Sequence, residues 1–478
     1  MSDCCAPPLK NANGRYDLVV VGAGSAGFSA AIAAAEEGAQ VALVGHGTIG
    51  GTCVNVGCIP SKALIRATEA VHQASIASER FAGVESHGRV SNWSRVAAQK
   101  DALVSGLRQA KYVDLLPEYN NVTYYEGAAR LVDGGVEAGG KLLKSDRVVV
   151  ATGARPSVPQ IPGIETVEFL DSTSALALTE LPCSMMVLGG GYVGAELAQM
   201  FARAGVAVTL VFRSRLLPEA EPEIGQALAG YLASEGIRIV NGVTYRSVSR
   251  TDGGVMLALT RDGHPETITA DRLLVATGRT PNTEGLGLSD MGIAQDASRA
   301  IIVDDRMRTS RSGVYAAGDV TGRDQFVYMA AYGAKLAARN ALNGNSLRYD
   351  STVMPAVVFT DPQVASVGLT EARARTLGHD VRTSVLTLDN VSRALAARDT
   401  RGLIKLVADG ASRKLLGAHV LAPEGADSIQ TAALAIKSGM TVEALAETIF
   451  PYLTTVEGLK LAAQTFTKDV AKLSCCAG

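Results

Sequence analysis

The chain has 478 residues, 47% of them hydrophobic and 5% aromatic, with a formal net charge of −2. That length can bury two or three hydrophobic cores, and the balanced charge gives no electrostatic basis for binding nucleic acid or an anionic membrane. No apolar run approaches the roughly 18 residues of a membrane-spanning helix, and the N-terminus lacks the basic-then-apolar pattern of a secretory signal. Seven cysteines are too few, and odd in number, for a disulfide scaffold. The expectation is a cytoplasmic enzyme with reduced thiols and no membrane insertion.

Residues 1–13 read as a flexible leader containing Cys4-Cys5. Tyr16 to Val21 then reads as a strand, followed by Gly22-Ala23-Gly24-Ser25-Ala26-Gly27, an Ala-rich helix to Glu37 and a second strand from Gln40 to Val44. In this βαβ opening Gly22 permits the tight turn and Gly24 lets backbone approach a pyrophosphate. Gly27 allows close helix–strand packing, and the helix N-terminus attracts phosphate charge. The acid that usually closes the second strand is missing: Gly45-His46 stands there, leaving His46 or a backbone group to contact the ribose.

Directly after this unit comes Gly50-Gly51-Thr52-Cys53-Val54-Asn55-Val56-Gly57-Cys58-Ile59-Pro60-Ser61-Lys62. The cysteines are spaced too widely for a C-x-x-C motif, but extended or loop geometry before Cys58 brings the sulfurs within reach of each other. A helix starting at Cys58 or Pro60 would favour a thiolate at its N-terminus. Lys62 adds positive charge beside a thiolate or a reduced isoalloxazine, with Glu196 as its expected ion-pair partner. Zinc is disfavoured because no ligating His or further Cys lies at close spacing.

Residues 83–97 and the Gly-rich 133–140 read as surface loops. Cys183 precedes a predicted buried strand and reads as structural. The nucleotide pattern recurs from Met185 to Leu188, then Gly189-Gly190-Gly191-Tyr192-Val193-Gly194, a helix to about Ala204 and a strand from Ala207 to Phe212. This strand ends in Arg213-Ser214-Arg215. Two arginines can pair with a 2′-phosphate that an acid would repel, so NADPH is favoured over NADH. The similar segments Ala151-Thr152-Gly153 and Ala276-Thr277-Gly278-Arg279 mark chain crossings. Ala317-Gly318-Asp319 sets Asp319 at a strand end, where it can accept a ribityl or ribose hydroxyl. The fold class expected is α/β, with two Rossmann-like nucleotide-binding domains and an α+β C-terminal domain. The expected boundaries are 14–155 with 280–345 for the first nucleotide domain, 156–279 for the second, and 346–478 for the interface domain and its tail.

These marks identify a resemblance to the FAD-dependent pyridine nucleotide–disulfide oxidoreductases over nearly all of residues 14–470. It implies FAD at the first unit, with Gly51, Thr52, Lys62, Gly153 and Asp319 among its contacts. It implies NADPH at the second, with Gly189, Gly191, Tyr192, Gly194, Arg213, Arg215 and Gly278. By the family pattern electrons pass through flavin to a Cys53–Cys58 disulfide. Cys53 then faces the exchanging substrate, Cys58 contacts the flavin, and Tyr192 covers the nicotinamide pocket.

Members that reduce organic disulfides carry a C-terminal His-Pro with a nearby Glu, the base for a thiol leaving group. Here Phe450-Pro451-Tyr452-Leu453-Thr454-Thr455 takes that place, with none of the six histidines beyond His419. The run 448–458, Gln325-Phe326-Val327-Tyr328, Met354 to Pro362 and the terminal Cys475-Cys476 resemble the mercuric reductases within the family. That resemblance implies a homodimer whose active sites are completed across the interface. One subunit's Cys475 and Cys476 would take Hg(II) from small-thiol complexes and pass it to the other subunit's Cys53 and Cys58 by thiolate exchange, with Tyr112 and Tyr452 beside the metal. Hg(II) is then substrate, and reduction to Hg(0) serves detoxification. Cys4-Cys5 is either an auxiliary metal acceptor or without catalytic consequence. The rival reading is a thioredoxin-type disulfide reductase with a C-terminal thiol relay.

Overall fold

The structure, a computed structural model, describes residues 14–472, so the expectations for Cys4, Cys5, Cys475 and Cys476 lie outside the described residues. The chain divides into two compact units. The first holds residues 14–61 with Ala97–Ser157 and Arg279–Ser351; the second holds Lys62–Val96, Val158–Gly278 and 352–472.

In the first unit β1 (Leu18–Val21), β2 (Val41–Gly45) and β3 (Val122–Glu126) pair in parallel. Val148–Val150 and then Val314–Ala316 extend the sheet on the other side of β1. The β1 and β2 segments LVVV and VALVG are buried throughout, as parallel strands covered on both faces must be. Because strand order reverses at β1, a crevice opens beyond the ends of β1 and Val148–Val150. That is where open α/β sheets bind ligands. Helix α1 (Ser25–Glu36) leaves from that point, its alanines allowing close packing against Val327–Asn343.

One expected loop is a sheet. Ala129–Val132, Gly135–Ala138 and Lys141–Lys144 form an antiparallel three-stranded unit, so 133–140 is a turn plus a central strand. Val136 and Ala138 alternate with exposed Glu137 and fill a core with Leu131 and Leu143; burial of that alternation outweighs the glycine content. The 83–97 loop also ends early. Helix α4 (Trp93–Arg108) starts inside it, because Trp93 is buried and its indole N–H donates to the Leu178 carbonyl at 2.8 Å.

The second unit carries a parallel four-stranded sheet in the order Arg238–Asn241, Ala207–Phe212, Ser184–Leu188, Arg272–Val275. An antiparallel meander, Val243–Thr251 to Gly254–Arg261 to His264–Ala270, accompanies it. Cys183 is exposed just before Ser184 rather than packed. Residues 352–472 build an antiparallel five-stranded sheet covered by Gly425–Lys437 and Glu457–Gln464, an α+β arrangement. Its strands are Ala356–Val358, Gln363–Gly368, Val381–Thr387, Leu403–Asp409 and Leu415–Ala422. Among the described residues no helix is long and apolar enough to cross a membrane.

Candidate active site

In the first unit the glycine loop closes on the cysteine segment. Gly24 caps α1 without any side-chain hydrogen bond, which leaves the first-turn N–H groups directed at whatever occupies the crevice. A Cβ on Gly22 would overlap the Ala151 carbonyl, and one on Gly27 would overlap the Gly22 carbonyl. Gly50 N–H donates to the Ala23 carbonyl at 2.9 Å, and a Cβ on Gly51 would meet Gly24 Cα at 2.6 Å. Only glycines let these two loops touch, and the resulting backbone cradle fits a dinucleotide pyrophosphate.

Cys53 lies within a helix, α2 (Gly51–Val56), and Cys58 opens the next, α3 (Cys58–Arg80). The extended or loop geometry expected before Cys58 is confined to a one-residue break at Gly57 between the two helices. A Cβ there would press within 2.9 Å of the Thr52 carbonyl oxygen and 3.3 Å of Cys53 Cα, so the fold at this break requires glycine. Both cysteines are half-buried. Cys58 sits in the first turn of a 23-residue helix, whose dipole favours the thiolate. Thr52 is exposed beside Cys53.

Two residues given no role from sequence brace this loop. Asn55 donates to the Ile49 and Gly51 carbonyls, both at 2.9 Å, and Arg108 donates to Asn55 Oδ1 at 3.0 Å. The signal for Asn55 was its place between the two cysteines; Arg108 comes from a distant helix and left none. Tyr112 follows α4 in a π-helical turn, Gln109–Val113. Its ring meets Phe28 edge-on at 4.8 Å, its hydroxyl is 3.3 Å from Ser25 Oγ, and Gly50 lies beneath it.

The chain crossings are knitted at Thr152, whose hydroxyl donates to the Asn282 carbonyl at 2.6 Å while Asn282 returns a bond to the Thr152 carbonyl at 3.0 Å. Gly153 adopts a positive φ with open space around it. Asp319 is mostly buried, 3.4 Å from Arg279 Nε. Burial pushes its carboxyl above the usual range, opposed by the Arg279 charge. Among the described residues Arg279 Nε is buried without a hydrogen-bond partner. A polar ligand group reaching this pair would find an acceptor in Asp319 and a donor in Arg279.

In the second unit the same glycine logic repeats. A Cβ on Gly189 would overlap the Ala276 carbonyl and one on Gly194 the Gly189 carbonyl, while Gly191 caps the helix Tyr192–Arg203 and, like Gly278, faces open space. Tyr192 begins that helix half-buried, and burial raises its phenol, with Glu219 adding to the effect. One turn on, Glu196 is buried. Its Oε2 lies 2.6 Å from Lys62 Nζ, and its Oε1 accepts from Phe359 N–H at 2.9 Å. Lys62 also stands 4.7 Å from the Phe359 ring centroid, a cation–π contact. Arg213 and Arg215 are exposed at the strand end. Arg215 is committed to the Pro218 and Ala220 carbonyls, whereas Arg213 makes no hydrogen bond or ion pair among the described residues.

Tyr452 is 53% exposed and its neighbour Ile449 is 94% exposed, while Phe450 packs partly into the C-terminal core. The last histidine, His419, is 3% exposed with Nε2 on the Leu369 carbonyl at 3.1 Å, and burial lowers its basicity.

Two phosphate cradles, a cysteine pair on successive helices and an α+β C-terminal region define a dinucleotide-dependent redox enzyme. Residues 16–338 match the pyridine nucleotide-disulphide oxidoreductases and 354–463 match that family's dimerisation domain, and the chain belongs to this family. It is an oxidoreductase that uses FAD and NADPH. The mercuric reductase of Lysinibacillus sphaericus is 47% identical over 97% of this chain and 85% of its own length. That of Streptomyces lividans is 46% identical over 98% of this chain and 100% of its own. Among solved structures, the HOCl-induced flavoprotein disulfide reductase RclA from Escherichia coli is 30% identical, with a TM-score of 0.82 over 95% of this chain and 100% of that one.

Proposed function

We propose that this protein is a mercuric reductase: NADPH + Hg(SR)2 + H+ gives NADP+ + Hg(0) + 2 RSH. The observation that carries the reading is the near-full-length similarity to mercuric reductases, joined to the lack of a thiol base. His419, the last histidine, is enclosed and bonded to a carbonyl, so no C-terminal imidazole serves an organic thiol leaving group. Mercury needs none, because it departs as an uncharged atom.

FAD, when bound, supplies the two-electron link between NADPH and the thiols. The residues of the chain do the rest. Cys53 and Cys58 as thiolates displace the small thiols and hold Hg(II) as soft ligands. Cys58 is favoured as thiolate by the α3 N-terminus, and Glu196 orients the Lys62 ammonium. Tyr192 covers the nicotinamide site and Arg213 and Arg215 take the 2′-phosphate. Cys475 and Cys476 of one subunit of a homodimer deliver Hg(II) to the partner's cysteine pair beside Tyr112 and Tyr452, in the cytoplasm.

The test is NADPH oxidation by FAD-loaded protein with Hg(II) in excess small thiol, with mercury vapour trapped. One Hg(0) per NADPH is expected, and Cys53→Ala or Cys58→Ala should abolish it while the protein stays yellow. NADPH consumed without Hg(0), but with a disulfide reduced, would replace the proposal with the disulfide-reductase reading that the likeness to RclA favours.

A further inference from the structure

The end of β2 lacks the acid that normally holds a ribose hydroxyl, and the structure has filled that place from the next strand. Strands β2 and β3 run parallel with Leu43 opposite Tyr124. Side chains two apart on a strand share a face, so Leu43 and Gly45 lie on the face that bears Tyr124. The Tyr124 ring reaches forward along it. A Cβ built on Gly45 would overlap the Tyr124 hydroxyl, and it would lie 2.8 Å from both Tyr124 Cε2 and Ala23 Cβ. Gly45 is thus a consequence of Tyr124: an Asp or Glu cannot stand there while the phenol does.

We infer that Tyr124 is a cofactor-binding residue whose hydroxyl takes the adenosine ribose hydroxyl of FAD in place of the missing carboxylate. The group is well placed. It and Ala23, inside the phosphate loop, flank the same Gly45 position, and that loop is pinned to the strand end by Gly22 N–H on the Val44 carbonyl at 2.8 Å. The Tyr124 hydroxyl makes no hydrogen bond among the described residues, and His46, the other side chain at this strand end, is exposed. A phenol both donates and accepts. Burial, then the nearby Glu126 charge, raise its pKa, which favours the neutral phenol.

The inference rests on FAD occupying the first unit. Apoprotein is titrated with FAD and with the analogue whose adenosine ribose is 2′-deoxy, following flavin fluorescence. The parent should bind FAD about fivefold more tightly than the analogue, the worth of one neutral hydrogen bond. Tyr124→Phe, which keeps the ring, should bind both alike, at the parent's affinity for the analogue. Gly45→Glu combined with Tyr124→Ala rebuilds the usual acid and should restore the preference. A Tyr124→Phe protein that still prefers FAD by the parent's ratio overturns the assignment, as does loss of the preference in His46→Ala but not in Tyr124→Phe. A parent that binds FAD without discriminating against the analogue refutes Tyr124 alone. A parent that binds no FAD refutes the cofactor reading as well.

Discussion

Glu196→Gln isolates the charge of the one carboxylate that ties the second nucleotide helix to Lys62. Glutamine keeps an oxygen for the Phe359 N–H, which now bonds at 2.9 Å, and changes volume little. The lost quantity is therefore the ion pair with Lys62 at 2.6 Å. Exposed pairs contribute about 0–1 kcal/mol, while breaking a buried pair costs about 3–5 kcal/mol. Glu196 has 7% of its side chain exposed and Lys62 33%. The lysine can thus recover part of its hydration, and the expected coupling falls between these limits, at about 2 kcal/mol. The assay is a double-mutant cycle in urea with Glu196→Gln, Lys62→Met and the double variant, read by circular dichroism on holoprotein. The double variant should be less destabilised than the sum of the singles by that amount. A coupling below about 0.3 kcal/mol, within ordinary additivity error, would show that the contact is incidental and refute the reasoning.

Three further expectations follow from particular contacts. Lys405 is 2% exposed and holds Glu221, Glu223 and Glu371 at 2.8–3.0 Å; Lys405→Met strands the equally buried Glu221 and should cost about 3–5 kcal/mol in denaturant unfolding, and a cost under about 1 kcal/mol would contradict this. Burial alone would raise Asp361, but the charges of Arg203 at 2.8 Å and Arg401 at 3.1 Å outweigh it and hold the carboxyl below its usual value. A depressed carboxyl stabilises the fold above its unfolded pKa of about 4 and loses that contribution as pH falls through the folded value; stability should drop below that pH, and less steeply in Asp361→Asn, whereas equal slopes would remove Asp361 from the acid transition. Because Arg215 is bonded to the Pro218 and Ala220 carbonyls while Arg213 is not so engaged, Arg213→Ala should raise the KM for NADPH several-fold, about the loss of one charged hydrogen bond. Arg215→Ala should raise it less, and an equal rise of the NADH KM would take both residues away from the phosphate.

Local chemistry was legible in the chain itself. A turn that admits phosphate needs glycines at fixed spacing, so Gly22, Gly24 and Gly27 and their counterparts Gly189, Gly191 and Gly194 declare two nucleotide units by themselves. The Cys53 and Cys58 pair and the missing C-terminal histidine were equally plain, since reactivity follows residue type. Alternation alone left the strand Gly135–Ala138 unseen, because its glycines signal turns until Val136 and Ala138 find Leu131 and Leu143 to bury against. Pairings across long chain separations belonged to tertiary structure. Arg108 on Asn55, Phe359 over Lys62 and the four-residue charge cluster at Lys405 depend on which elements become neighbours. Gly45 shows the division most sharply. Sequence could register that an acid was absent, but only the parallel register of β2 and β3 brings the Tyr124 hydroxyl to that spot, because strand pairing sets neighbours that chain order does not.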